Sequence, residues 1–166
     1  DSQYVQNIFD TFAIGFEEVL ADLNYRVPEY ISGFCKEFLN KKIIKKYQIL
    51  DAGCGTGLCG KFLKKYSRFG NLTSEKKKKK MLEVASGKNI YNQLICMDID
   101  SFMQTHDFTY DVICAADVLT YLGALDSFFF NAKKCLKNNG KIFFSISENN
   151  QDNESYFLHI SGRFLH

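Results

Sequence analysis

Residues 49–57 read Ile49-Leu50-Asp51-Ala52-Gly53-Cys54-Gly55-Thr56-Gly57. An apolar run followed by alternate glycines predicts a buried strand that delivers a tight turn, with a helix opening near Leu58. Glycine tolerates positive φ and lets backbone approach a ligand without a Cβ collision, and a helix start offers unpaired N–H groups to a carboxylate or phosphate. The arrangement suits an adenosine-bearing cofactor. A strand-to-helix turn is also glycine-rich for structural reasons alone, so the surrounding sequence has to discriminate. The spacing is GxGxG, and the dinucleotide fingerprint would need glycine where Leu58 stands.

Downstream of Tyr47 short apolar runs alternate with helical patterns. QILDAG, NLTSE, QLICMDI, YDVICAADVL and GKIFFSIS are the expected strands. Helices are expected over Leu58 to Tyr66, Lys77 to Ser86, Asp100 to Thr105 and Ala124 to Lys137, the last closing at Asn138-Asn139-Gly140. Strand–helix alternation with nearly continuous apolar strands predicts a doubly wound α/β fold, a parallel sheet with helices on both faces. In such a sheet ligands sit beyond the carboxyl ends of the strands where their order reverses. Upstream, Tyr4, Val5, Ile8, Phe9, Phe12, Phe16, Val19, Leu20 and Leu23 recur at helical spacing and predict a helix ending near Asn24. A second helix after Pro28 carries Tyr30, Ile31, Phe34, Cys35, Phe38 and Leu39 on its expected apolar face. One domain over 1–166 is expected: a helical cap at 1–46, an α/β core at 47–148 and a partial carboxyl-terminal segment at 149–166.

Composition excludes more than it selects. The chain has 166 residues, 46% hydrophobic and 24% charged, with a net charge of +2, so global electrostatics gives no argument for a nucleic-acid partner. Basicity is local, at Lys41-Lys42, Lys45-Lys46 and the run Lys76 to Lys80. The 6 cysteines form no CxxC pair, and their apolar surroundings suit small buried hydrophobes in a reducing compartment, which favours a cytoplasmic location. The 3 histidines have no zinc-site spacing to cysteines, so no metal is expected. No apolar run approaches the roughly 20 residues that span a bilayer, and the first residues lack a signal pattern; no membrane partner is expected.

With Asp51 two residues before the first glycine, DAGCGTG resembles motif I, hhDxGxGxG, of class I S-adenosylmethionine-dependent methyltransferases. The later segments CMDI, YDVICAADVLTYL and LKNNGKIFFSIS resemble that family's following motifs. The resemblance implies a Rossmann-like, mostly parallel doubly wound sheet and S-adenosylmethionine as cofactor. It places Asp51, Ala52, Gly53, Cys54, Gly55 and Gly57 against the cofactor, with Asp98 bonding the adenine amine and Ile99 packing on its ring. Ala115 and Asp117 fall at the cofactor end of the fourth strand. YVQNIFDTFAIGFEEVLADLNYRVPEYI and YFLHISGRF also resemble a bacterial branch of the family named for tetratricopeptide repeats, although no such repeat occurs here. The implied activity is methyl transfer to a small-molecule or protein acceptor. No catalytic residue is assigned, since an activated sulfonium needs alignment more than acid–base machinery. Tyr4, Phe9, Phe12 and Tyr25 are candidates for an aromatic lid, and Tyr121, His159 and Arg163 for the acceptor mouth. Cys54 and Cys59 flank the turn with no base beside them in the pattern, which argues against a nucleophile.

Two departures from the family pattern stand out. Aligning LTSEKKKKKML with the family's second-strand end puts Lys76 where an acid normally accepts bonds from both ribose hydroxyls, and lysine accepts none. Glu75 is the nearest carboxylate, but adjacent strand residues face opposite sides. The lysines also remove the strand's apolar end. Secondly, the residues after Ser147, opening with the polar run ENNQDNES, leave little room for the family's last two strands, so a sheet short of them is expected. These departures keep two alternatives open: a degenerate methyltransferase-like domain that holds cofactor poorly, and an NADP-dependent reductase in which Lys76 meets a 2′-phosphate. Asp51, the GxGxG spacing and the lack of a Tyr-x-x-x-Lys pair weigh against the reductase.

Overall fold

The computed structural model describes residues 15–39, 47–74, 79–150 and 155–166. Strand β1 (Tyr47–Ala52) is the centre of the molecule. Its apolar residues bury it on both faces, and it pairs in parallel with β2 (Ser67–Ser74) on one side and β4 (Tyr110–Ala115) on the other. With β3 (Gln93–Cys96) and β5 (Leu136–Phe144) the sheet order is β3-β2-β1-β4-β5, every pair parallel. The chain therefore winds outward from β1 to β3 and then crosses to β4, which places the reversal between β1 and β4. This is the expected doubly wound arrangement, and it puts the glycine turn at the crevice.

The strand period of two sends alternate β1 and β4 residues to opposite layers. Leu50, Ala52, Ile113 and Ala115 face helices α5 (Ile99–Thr105) and α6 (Asp126–Cys135), packing with Phe102, Met103, Phe128, Ala132 and Cys135. Tyr47, Ile49, Val112 and Cys114 face α2 (Val27–Leu39) and α3 (Leu58–Leu63), packing with Ile31, Cys35, Leu39, Cys59 and Leu63. Helix α4 (Lys79–Gly87) closes a smaller cluster of Cys54, Leu82 and Ala85. Five of the cysteines are buried and Cys96 is exposed, which fits their reading as small hydrophobes. Among the described residues no helix is long and apolar enough to cross a membrane.

Several boundaries depart from the sequence-based expectations. Of the helix predicted across Tyr4 to Leu23, the described part is α1 (Phe16–Asp22); Asn24 leaves it with φ +50°, and everything before Gly15 lies outside the described residues. The predicted apolar face of α2 is wider than the surface that covers it: Ile31, Cys35 and Leu39 are buried, while Tyr30 and Phe34 are more than half exposed. Helix α6 ends at Cys135, before the predicted stop at Asn138-Asn139-Gly140. Tyr110 already pairs with Leu136 and Val112 then pairs with Lys141, so the intervening residues loop out of the ladder, with Asn139 at φ +66°. Strand β2 is complete before the charged run, its last paired residue being Ser74 opposite Cys96. Glu75 and Lys76, on which the ribose argument turns, lie outside the described residues.

Beyond β5 the described residues form a small separate hairpin. The tail carries two strands of two residues each, β6 (Phe157–Leu158) and β7 (Phe164–Leu165), paired antiparallel as a separate small sheet. A parallel bridge from Ser147 to Leu165 tethers that hairpin to the chain leaving β5, with His166 N–H donating to Ser147 C=O at 2.8 Å. A short parallel core depends heavily on its largest buried side chains. Replacing Phe102, which is fully buried, by alanine is expected to cost about 3–5 kcal/mol in urea unfolding, whereas Leu23→Ala, at an exposed site, should cost less than about 0.5 kcal/mol.

Candidate functional site

At the carboxyl end of β1 the chain turns through Gly53, Gly55 and Gly57, all at positive φ (+71°, +56° and +93°), before α3 begins. Gly53 is fixed by contact as well as by conformation: a Cβ there would lie 2.3 Å from Val118 Cγ2, in the loop after β4. The turn is thus pressed against the neighbouring strand's exit, and the two form adjacent walls of one cleft.

Asp51 lies beneath the turn, on the α3 side of the sheet, and is only 2% exposed. Its carboxylate accepts the Tyr91 hydroxyl at 2.8 Å and the Gly60 amide. Burial pushes the carboxyl up to about 6, against the lowering effect of those two hydrogen bonds. Burial and then the neighbouring Asp51 charge hold the Tyr91 phenol well above its ordinary range, so it stays a donor. Gly60 makes room for this: a Cβ on it would lie 2.0 Å from the Tyr91 oxygen. Neither residue follows from the motif reading. The available signal was Gly60 itself, a glycine inside a predicted helix, where it weakens the helix by about 1 kcal/mol relative to alanine unless packing requires it.

The cleft holds about 1100 Å³ including its open mouth. Asp51, Gly53, Cys54, Gly55 and Thr56 form one wall, Met81 and Ile99 another, and Ala116, Asp117 and Val118 a third. Phe16 and Leu20 of α1, with Tyr25 and Pro28, stand across from them, and Tyr121, Leu122 and Arg163 complete the rim. Helix α1 is tied to the turn by Glu17, which accepts the Thr56 hydroxyl at 2.8 Å and pairs with Lys88 at the end of α4. Partial burial raises the Glu17 carboxyl, but the Lys88 and Thr56 hydrogen bonds outweigh it and hold it below its ordinary range.

Beyond β4 a second polar group assembles. Asp117 sits at φ +55°, its N–H donating to Ser145 Oγ at 2.8 Å. Its carboxylate receives Arg163 Nη2 at 3.4 Å and the Tyr25 hydroxyl. Burial, followed by the charge of Asp117, pushes the Tyr25 phenol well up, so it donates rather than ionises. The Arg163 guanidinium bonds to the Tyr121 hydroxyl and lies 5.8 Å from that ring's centroid.

Of the residues expected at the cofactor, Asp51, Gly53, Cys54, Gly55, Ile99 and Asp117 line this cleft together. Ala52 and Ala115 are wholly buried at the strand ends behind it, and Gly57 leads into α3. Asp98 is exposed beside Ile99, its Oδ1 capping α5 by accepting the Ser101 N–H at 2.9 Å. Tyr25, Tyr121 and Arg163 are on the cleft wall, whereas His159 is on the exposed hairpin, its ring paired with Ser161. The lid candidates Tyr4, Phe9 and Phe12 lie outside the described residues. The Cys59 thiol is raised well above its ordinary range by burial and by Asp51, the opposite of an activated nucleophile. Among the described residues no three His, Cys, Asp or Glu side chains cluster as a metal site would need.

Comparison with known proteins identifies the family and the fold. The pattern of the methyltransferase-domain family matches residues 50–144. The chain is 28% identical over 131 residues to the ubiquinone biosynthesis O-methyltransferase of Hydrogenovibrio crunogenus, covering 76% of this chain and 52% of that protein. In fold it is similar to an S-adenosylmethionine-dependent methyltransferase from Clostridium acetobutylicum, with TM-score 0.66 and 23% identity over 85% of this chain and 58% of the other. A Leishmania major S-adenosylmethionine-dependent methyltransferase aligns with TM-score 0.71 and 20% identity over 98% of this chain and 66% of the other. Magnesium protoporphyrin IX methyltransferase from Synechocystis, solved with bound S-adenosylhomocysteine, aligns with TM-score 0.67 and 15% identity, over 90% of this chain and 74% of that one. The chain spans about half the length of the curated relative it matches.

The raised Asp51 carboxyl carries a pH signature. Its folded value of about 6 exceeds the ordinary 3.8, so between these limits the folded protein keeps a proton that the unfolded chain releases. Unfolding free energy should therefore fall as pH rises from about 4 to 6, by an amount on the order of 3 kcal/mol, and level off above. In Asp51→Asn that fall should vanish, so urea midpoints of the two proteins should converge at low pH and separate in favour of the variant towards neutrality. A difference that does not change across this window would contradict a desolvated Asp51.

Proposed function

This chain belongs to the methyltransferase-domain family, and from that premise we propose that it binds S-adenosylmethionine over the Gly53–Gly57 turn and transfers the methyl group to a small-molecule or protein acceptor. The observation that carries the proposal is the convergence of Asp51, the glycine turn, Ile99 and Asp117 on one cleft at the strand-order reversal. The fold brings the strand ends to this crevice, and the acid under the glycine turn with apolar surface beside it supplies the chemistry the cofactor needs.

The residues fit the cofactor by their donor and acceptor chemistry. Asp51 is a buried acceptor under the turn, suited to the methionine ammonium, and the arrival of that positive charge would favour its ionised form. Gly53, Cys54 and Gly55 bring backbone close where side chains would interfere. Ile99 and Met81 present apolar surface for the adenine, and Asp98, whose Oδ1 is used in capping α5, has its second oxygen to accept from the adenine amine. When bound, the cofactor supplies a methyl already activated by the sulfonium. What remains for the chain is to hold the acceptor in line and keep water away. Phe16, Leu20 and Tyr25 supply the covering wall, while Asp117, Tyr121 and Arg163 supply polar groups at the acceptor's side.

Calorimetry with S-adenosylhomocysteine tests this reading. Binding with a stoichiometry near one is expected, and no heat at millimolar ligand would overturn it. Lys76→Asp should strengthen binding by about ten-fold or more, since a carboxylate gains two hydrogen bonds from the ribose hydroxyls. Binding by this variant alone would instead favour the reading of a domain that keeps the fold and has lost the cofactor.

A further inference from the structure

The polar group beyond β4 is more elaborate than a cofactor cleft requires. Among the described residues that line the cleft, Arg163 at the rim is the cation, and Asp51 and Asp117 are the carboxylates. Its position is not incidental to a loose tail. The His159 N–H donates to Arg163 C=O at 2.9 Å, and Gly162, at φ +79°, makes the tight turn between them. The returning arm is anchored on the segment after β4: Phe164 stacks edge-on with Tyr156 over Gly123, and the His166 ring meets Leu119 C=O at 3.2 Å. The hairpin thereby holds the guanidinium beside the Tyr121 ring, at the rim, with 40% of its side chain exposed.

We propose that Arg163 recognises a carboxylate on the methyl acceptor, with Asp117 and Tyr121 holding its guanidinium in place; this rests on the methyl-transfer reading above. The 3.4 Å separation from Asp117 is longer than the 2.7–2.9 Å of a tight charge-assisted pair. A guanidinium has five N–H donors in a planar fork, more than its contacts with Asp117 and Tyr121 use, which leaves donors for a carboxylate. Asp117 is fixed by its backbone bond to Ser145 and by the Tyr25 hydroxyl, so it is a positioning residue that restrains the arginine. It adopts a left-handed backbone, a conformation that non-glycine residues hold at some energetic cost and that concentrates at functional sites.

Charge and shape narrow the ligand. Arg163 already shares its charge with Asp117, so each further negative charge on a ligand meets repulsion from that carboxylate, and a carboxylate monoanion fits better than a phosphate dianion. The surfaces around it, Phe16, Leu20, Val118 and Leu122, are apolar. The acceptor that fits is a carboxylic acid with an apolar body, its acid at the rim and its nucleophilic atom deeper, towards the turn.

Titration of 3-phenylpropanoate and its neutral amide, 3-phenylpropanamide, into the protein saturated with S-adenosylhomocysteine tests this. The acid should bind about ten-fold or more tightly than the amide. Arg163→Gln should abolish that preference while changing S-adenosylhomocysteine affinity less than about two-fold, which also reports that the variant is folded; Arg163→Lys should retain part of the preference. Equal affinity for acid and amide, no measurable binding of either at millimolar concentration, or a preference that survives Arg163→Gln would overturn the proposal. A ten-fold loss of S-adenosylhomocysteine affinity in both arginine variants would overturn it too, by assigning the guanidinium to the cofactor's own carboxylate. Failure of S-adenosylhomocysteine to bind the parent protein is a different result, and removes the methyl-transfer reading itself.

Discussion

A carboxylate as buried as Asp51 must find its donors inside the protein, and the two it finds come from two separate later segments of the chain. The Gly60 amide arrives from α3, immediately after the glycine turn, and the Tyr91 hydroxyl from the loop that leads into β3. This knot ties β1, the first crossover and the second crossover together at the point where the sheet changes direction. Remove either donor and a buried charge is left half-satisfied, a condition that costs several kcal/mol in protein interiors. The same burial that makes the knot stringent raises the carboxyl towards neutrality and leaves it responsive to a cation above the turn.

The rest of the cleft is arranged around that acid. Glu17 brings α1 down onto Thr56 and Lys88, so the covering wall is fastened to the turn by polar contacts and carries Phe16 and Leu20 over the cleft. On the opposite side Val118 presses on Gly53, which transmits the position of the β4 exit, and with it Asp117, to the turn. Cofactor and acceptor walls are therefore mechanically adjacent, as an in-line transfer demands.

The sequence made legible what depends on local pattern. The apolar runs at Tyr47–Ala52 and Tyr110–Ala115 became the central strands, and the alternate glycines became the positive-φ turn. Tyr25, Tyr121 and Arg163, scattered along the chain, were named as candidates and meet at one rim. What escaped depends on distant partners. Tyr91 is 40 residues from Asp51, and Glu17 is 39 from Thr56, separations over which neither periodicity nor spacing carries information. The extent of the α2 apolar face was over-read because helical spacing identifies a stripe but not the width of the surface that covers it, and Tyr30 and Phe34 fall outside that cover. The end of α6 differs from the sequence-based expectation because Asn-Asn-Gly is a turn signal that the chain satisfies inside a bulged strand, where a Cβ on Gly140 would sit tightly, 3.0 Å from Lys137 C=O and 3.1 Å from Tyr110 C=O.

The seat of the cofactor on the glycine turn above Asp51 is most directly tested by mapping S-adenosylhomocysteine onto the backbone by amide NMR titration. The largest shifts should fall at Gly53, Cys54, Gly55 and Ile99, with smaller ones at Asp117. Shifts confined to other regions, or a bound ligand that leaves the 53–57 amides unmoved, would contradict it.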